Sequence, residues 1–268
     1  MLREITLGQY YPVDSFIHRL DPRVKLAGTF LFLIALFIVN SWTAYAVLAL
    51  VLFGFILLSK VPFSFMVRGL KSVLFLLLLS VSFNLFLTPG EELFRIFFLK
   101  MTKEGLRIAS MMAFRLVMLV LSSSILTLTT TPNSLTDGME KGMGIFKVFH
   151  FPVHEIAMMM SIALRFIPIL VEETDKIMKA QMARGADFES GSIFDRAKAM
   201  VPILVPLFVS AFRRAYDLAM AMEARCYQGG EGRTKMKPLR YTGADYLSYL
   251  VLFLILGLAI GSRFISLP

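Results

Sequence analysis

The sequence predicts an all-α polytopic membrane protein with about five transmembrane helices and a domain of three amphipathic helices between spans four and five. Three observations predict it. Of the 268 residues, 57% are hydrophobic and 18% are charged, with a mean hydropathy of +0.70, whereas soluble domains carry about 45–50% apolar and about 25% charged residues. Four windows contain no Asp, Glu, Lys or Arg: Leu26 to Ser59, Ser72 to Gly90, Leu116 to Thr136 and Tyr246 to Ser262. Between the last two windows, the segment from Pro132 to Thr242 is too charged to be membrane spans and too apolar to be a linker.

A span needs about 20 apolar residues to cross a hydrocarbon core of about 30 Å. The Leu26 to Ser59 window would make a single helix of about 51 Å, so it must break, and Asn40-Ser41-Trp42-Thr43 is the polar, interfacial place to break it. That gives spans one and two, and the Ser72 to Gly90 window gives span three. Span four starts ahead of its window, near Gly105, with Arg107 at an interface and Arg115 within the membrane. Arg115 must therefore face protein or snorkel. Span five is the last window, and its Gly257-x-x-x-Gly261 would allow close helix packing. The first 25 residues carry Arg3, Glu4, Asp14, Arg19, Asp21, Arg23 and Lys25. They do not read as a cleaved signal peptide, and the N-terminus is expected to be mature and cytoplasmic.

The net charge of +9 arises from 28 Lys and Arg against 19 Asp and Glu. Cytoplasmic flanks collect cations, so their positions report orientation. Four lie in the N-terminal arm, and Lys60, Arg68 and Lys71 follow span two with no acid beside them. Fifteen lie between Pro132 and Thr242 against twelve acids. All three groups fall on the cytoplasmic side, the connector from Glu91 to Glu104 lies opposite, and five spans leave the C-terminus outside. Nucleic-acid binding is not needed to explain the charge. With only Cys226, neither an intramolecular disulfide framework nor a Cys-rich metal site is available. Asp21-Pro22 reads as an N-cap followed by Pro at the first helical position.

Within the inserted segment, a short helix is expected from Asn133 to Phe149 and a longer one from Val153 to Arg184, interrupted by Pro168. A last helix places Phe194, Ala197, Val201, Leu204, Phe208, Ala211, Ala215, Leu218 and Met222 on one face. Pro202 and Pro206 kink it, since each removes a helix hydrogen bond. The ends of the two long helices match: Ala180-Gln181-Met182-Ala183-Arg184-Gly185 aligns with Ala221-Met222-Glu223-Ala224-Arg225-Cys226 at an offset of 41. Gly185 and the Gly229-Gly230 pair can take positive φ and stop a helix. A small Ala beside a forked cation lets a helix end enter a groove while the guanidinium meets carboxylates or carbonyls.

These residues resemble a known family, the transmembrane T component of energy-coupling factor (ECF) transporters, ABC-type importers of vitamins and trace metals. The resemblance covers nearly the whole chain. It rests on His18-Arg19-Leu20-Asp21-Pro22-Arg23-Val24-Lys25-Leu26, Arg165-Phe166-Ile167-Pro168, Pro202-Ile203-Leu204-Val205-Pro206-Leu207 and the paired Ala183-Arg184-Gly185 and Ala224-Arg225-Cys226, followed by Tyr227 and Gly232-Arg233-Thr234. It implies a non-catalytic scaffold in the plasma membrane of a prokaryote. Residues 1–131 would hold the N-terminal arm and spans one to four, 132–242 the cytoplasmic coupling domain, and 243–268 the last span. The implied partners are two ABC-type ATPase subunits, which carry ATP and Mg, and one or several interchangeable small hydrophobic substrate-binding membrane subunits. This chain would bind no cofactor itself. Ala183, Arg184, Gly185, Ala224, Arg225 and Cys226 become the residues coupling to the ATPases, and Pro168, Pro202 and Pro206 the bends of the coupling helices. Cys226 departs from the usual Gly, which puts a shared backbone geometry at the two ends in question.

Other chemistry finds little support. Gly229-Gly230-Glu231-Gly232-Arg233-Thr234 has Tyr227 where a P-loop needs its first Gly and reads as a turn. His150 and His154 have a metal pair's spacing, but Pro152 lies between them. The methionines of the inserted segment could form an adaptable docking surface. A self-sufficient carrier or channel, the alternative reading, would need a polar path through the spans, for which only Arg115, Asn84 and Ser122-Ser123-Ser124 are available.

Overall fold

The computed structural model describes residues 10–96, 99–149, 151–188, 192–230, 236 and 238–265. His150, Gly191, Glu231, Gly232, Arg233 and Thr234 lie outside the described residues, so the His pair and the tail of the P-loop-like run have no structural counterpart here. In chain order the helices are α1 (Phe16–Arg19), α2 (Pro22–Ile38), α3 (Trp42–Ser59), α4 (Phe63–Leu87), α5 (Lys103–Thr129), α6 (Pro132–Gly142), α7 (Val153–Ala183), α8 (Ile193–Ala224) and α9 (Gly243–Ile265). A 3-10 helix, Met143–Phe149, follows α6. The connector between α4 and α5 forms an antiparallel hairpin of β1 (Glu92–Ile96) and β2 (Leu99–Thr102), the one departure from helix among the described elements.

Five helices are long and apolar enough to cross a membrane: Trp42–Ser59, Lys103–Thr129, Val153–Ala183, Lys198–Ala224 and Gly243–Arg263. Within α4, Phe63–Lys71 and Val73–Leu87 are bent by 61° from one another and make a sixth if taken as one span. The protein is thus an all-α, multi-pass membrane protein, although these five differ in part from the charge-free windows. At 17 residues, α2 reaches about 25 Å, somewhat less than a hydrocarbon core. Conversely, α7 and α8 qualify because their charges gather toward the ends: Met200 to Phe212 carries none, and Ile156 to Val171 carries only Arg165.

The chain forms two compact units, Gly8–Gly142 with Leu239–Pro268, and Met143–Pro238. In the first, α2, α3, α5 and α9 enclose a core that includes Phe32, Leu36, Tyr45, Leu48, Leu52, Met118 and Ile255. Helix α6 packs on α2 and belongs to this unit. As Asn40-Ser41-Trp42-Thr43 predicts, α2 ends at Ile38 and α3 starts at Trp42.

Arg115 of α5 points into protein at this break. Its Nε donates to the Tyr45 hydroxyl (2.8 Å), and one terminal nitrogen donates to the carbonyl of Val39 (3.2 Å) and to Asn40 Oδ1 (3.3 Å). The cation satisfies the carbonyl at the exit of α2. Gly257 and Gly261 approach no neighbouring helix, since a Cβ on either meets nothing within 4 Å.

A second polar cluster ties the two chain segments of this unit together. Asp245, 1% exposed, accepts from the backbone N–H of Asp21 (2.9 Å) and from the N–H and hydroxyl of Thr242 (2.7 Å each). Asp21 caps α2 by accepting from the Arg23 N–H, with Pro22 following at the first helical position. The Arg23 guanidinium returns to both Asp21 oxygens (3.0 and 2.8 Å) and lies over the Tyr241 ring at 3.8 Å. Lys25 donates to the carbonyls of His18 (3.0 Å) and Thr129 (2.9 Å), which brings in the C-terminal end of α5.

Burial pushes the Asp21 carboxyl up, and the hydrogen bonds and charge of Arg23 more than offset this, holding it below its ordinary value of 3.8. A depressed carboxylate stabilises the fold above its unfolded pKa, and that stabilisation is lost as pH falls through the folded value. Asp245→Ala strands the buried Asp21 N–H and removes the acceptor of the Thr242 N–H, and should cost about 2–4 kcal/mol. Asp245→Asn keeps one acceptor and should cost less. Thermal unfolding in detergent checks both, and for the wild type the Asp21 contribution should be complete at neutral pH and fall away below pH 3.8.

Candidate functional site: two matched helix ends

In the second unit, α7 and α8 pack against one another, and the 3-10 helix lies beside α7. Their C-terminal ends are built alike. At the end of α7, the Gly185 N–H donates to the carbonyl of Met182 (2.9 Å) and the Ala186 N–H to that of Gln181 (3.0 Å). At the end of α8, the Cys226 N–H donates to Glu223 (2.8 Å) and the Tyr227 N–H to Met222 (3.0 Å). Both are Schellman motifs, which satisfy the last orphan carbonyls of a helix by turning one residue left-handed. That residue is Gly185 at φ +88° in the first and Cys226 at φ +56° in the second. The two ends therefore share one backbone geometry, and Cys226 adopts the glycine conformation.

Arg184 and Arg225 precede the left-handed residue in each motif. Both are exposed, as are Ala183, Ala224, Gly185 and Cys226. Neither guanidinium has a side-chain partner among the described residues. Each end thus presents a small Ala, a free planar cation and a reversed backbone, the features that suit a helix end for entering a groove lined with acceptors.

Pro168 lies inside α7, and Pro202 and Pro206 inside α8; all three are exposed. The helices run on through them. Behind Cys226 the chain folds back within the unit: Gly229 takes φ +97°, and Gly230 sits on the His154 ring, where a Cβ would lie 2.3 Å from Cδ2. That close approach requires glycine.

The face of α8 that packs follows the predicted stripe only toward its C-terminal end, at Ala211, Leu218 and Met222. Phe194, Val201, Leu204 and Phe208 are exposed, with Phe208 at 61%. The packed positions are Ile203, which is buried, with Leu207, Ala211, Arg214, Leu218 and Met222 half-buried. Periodicity identified a helix with an apolar face, and found which face turns inward over its C-terminal half but not its N-terminal half. Here a charged residue sits on the inner face and takes a partner: Arg214 bonds Glu173 of α7 at 2.5 Å. The Ser210 hydroxyl also hydrogen-bonds the Glu173 carboxylate. The outer face stays apolar through Val205, Val209 and Phe212, and Met159, Met182, Met200 and Met220 are exposed too. Among the described residues, no group of three or more His, Cys, Asp or Glu is gathered as a metal site.

The fold defines a class, that of multi-pass α-helical membrane proteins, here with two matched, exposed helix ends. Comparisons with known proteins narrow it. The family model for CbiQ, described as cobalt transport protein, matches residues 14–236. Among similar proteins are the energy-coupling factor transporter transmembrane protein EcfT of Clostridium kluyveri, 52% identical over 265 residues with 98% of each chain covered, and that of Thermosediminibacter oceani, 52% identical over 264 residues covering 98% of this chain and all of the other. The Bacillus subtilis EcfT is 52% identical over 246 residues, covering 91% of this chain and 93% of its own. The chain belongs to the CbiQ/EcfT family of transmembrane components of energy-coupling factor transporters.

A Cβ at Gly185 meets nothing within 4 Å, so Gly185→Ala should cost only the left-handed backbone penalty of about 1–2 kcal/mol. Cys226→Gly should recover about 1 kcal/mol for the same reason. Gly230→Ala, which forces a clash with the His154 ring, should destabilise more than Gly185→Ala. Unfolding midpoints of the three variants in one detergent give the order directly.

Proposed function

We propose that this chain is the scaffold that couples ATP hydrolysis by two cytoplasmic ATPase subunits to movement of a substrate-binding membrane subunit, driving uptake of a vitamin or trace metal. The observation carrying this reading is the pair of identical, exposed Schellman ends at Arg184 and Arg225. Two copies of one docking device on one chain suit two like partners. On this reading the ends occupy grooves on the two ATPases, where each guanidinium meets carboxylates or carbonyls. ATP and its Mg belong to those partners, and the chain catalyses nothing itself.

Within residues 132–242, the unit Met143–Pro238 then serves as the coupling domain on the cytoplasmic side, while α6 stays with α2; the N-terminus lies on that side and the C-terminus outside. The outer face of α8 and the exposed methionines form the surface against which the substrate-binding subunit rests, and thioether side chains suit a surface that repacks as a partner moves. Pro168, Pro202 and Pro206 leave carbonyls without their usual donors, which makes them places where α7 and α8 yield. A self-sufficient carrier is disfavoured because the polar groups it would need are already engaged: Arg115 by Tyr45, Val39 and Asn40, and Asn84 by the Ser80 carbonyl.

Buried, partnered charges at an interface are costly to truncate, by about 2–5 kcal/mol each. The double variant Arg184→Ala with Arg225→Ala should insert normally, lose co-purification of the ATPases and lose uptake. Unchanged assembly and transport in that variant would refute the coupling role.

A further inference from the structure

Helices α7 and α8 carry a charge pattern that docking at their ends does not use, with Glu173 and Arg214 half-buried and Glu172, Lys176, Arg213 and Asp217 exposed. At the offset of 41 that aligns Arg184 with Arg225, Glu172 matches Arg213, Glu173 matches Arg214 and Lys176 matches Asp217. These three equivalent positions bear opposite charge on the two helices. One of these pairs meets in space: the Arg214 guanidinium on the Glu173 carboxylate, with Ser210 bonded to the same carboxylate. The Arg214 Nε is buried without an acceptor, so the guanidinium is held by Glu173 and by packing. The contact therefore joins equivalent points of two matched helices. From it, each arm runs eleven residues to its Arg, about 16 Å of helix at 1.5 Å per residue.

The neighbouring charges also bear on register. Registers that set Lys176 against Arg214 or Glu173 against Asp217 bring like charges together, which is how a repulsive element disfavours a wrong pairing.

We infer that Glu173 and Arg214 form the pivot of a two-armed lever, positioning residues that convert displacement of the helix ends at Arg184 and Arg225 into rotation of α7 against α8 instead of sliding. The inference rests on the coupling reading above. Without the pin, the ends still dock and the ATPases still turn over, but their motion is dissipated as slip.

The test uses the complete transporter in proteoliposomes, with Glu173→Arg, Arg214→Glu and the double exchange, and records ATPase co-purification, ATP hydrolysis and substrate uptake. Each single variant should retain both ATPases and hydrolyse ATP within about twofold of wild type while uptake falls about tenfold, a typical allosteric coupling. The double exchange, which restores opposite charges in the same register, should recover most of the uptake. Wild-type uptake in the singles, no recovery in the exchange, or loss of the ATPases from the singles would each overturn the pivot. Glu173→Gln, which removes the charge without reversing it, should lie between wild type and Glu173→Arg in uptake, and a variant equal to wild type counts against the pivot. Run beside these, the Arg184→Ala and Arg225→Ala double variant separates the two ideas. If it loses assembly while the pivot singles transport normally, the pivot alone fails; if it transports normally, the coupling reading fails and the pivot with it.

Discussion

A single buried carboxylate holds together a membrane unit that the chain builds in two visits. The chain leaves this unit after Gly142 and returns at Leu239, so α9 must find its place without help from sequence proximity. Asp245 supplies that placement, because its oxygens accept from Asp21 and Thr242 at once. A carboxyl group in so buried a site is tolerable only when hydrogen-bonded, and three donors reach its two oxygens. The run from His18 to Lys25 is arranged around this requirement: Asp21 offers its N–H, Arg23 neutralises Asp21 and stacks on Tyr241, and Lys25 gathers the carbonyls of His18 and Thr129. Charges that look like a cytoplasmic flank in the sequence are, in part, the fastening of the last helix.

Arg115 applies the same logic elsewhere in the unit. A cation placed on a long apolar helix must be enclosed, and the structure encloses it with the polar break between α2 and α3. The break leaves carbonyls without donors and Arg115 supplies donors, so two features that would each be costly in hydrocarbon offset one another.

Much of this was legible in the sequence. The broken first window, the enclosed Arg115, the Asp21-Pro22 cap and the matched helix ends follow from local rules about length, charge and capping. The Asp245 cluster did not, because its partners are 224 residues apart and neither residue is unusual alone. The inward face of α8 was legible only toward its C-terminal end for a related reason: in a membrane protein the apolar face is free to point outward, so periodicity loses its usual meaning. At the candidate site, Arg184 and Arg225 were found by repetition, whereas Cys226 appeared to break the repeat. Only the φ of +56° shows that backbone geometry is preserved where residue type is not. The pairing of Glu173 with Arg214 had a signal in the sequence, the opposite charges at the same offset, but that signal gains meaning only once the helices are seen to meet there.

On the coupling reading proposed above, matched ends on matched arms move in a defined way, the tips of α7 and α8 changing separation as the ATPases close. Lys179 and Met220 lie at equivalent positions near the two ends, and both are exposed. Spin labels at Lys179→Cys and Met220→Cys, with Cys226→Ser, report that separation in the assembled transporter. The account predicts one distance distribution without nucleotide and a shifted one with ATP, reverting after hydrolysis. Identical distributions in every nucleotide state, in a complex that still transports, would contradict it.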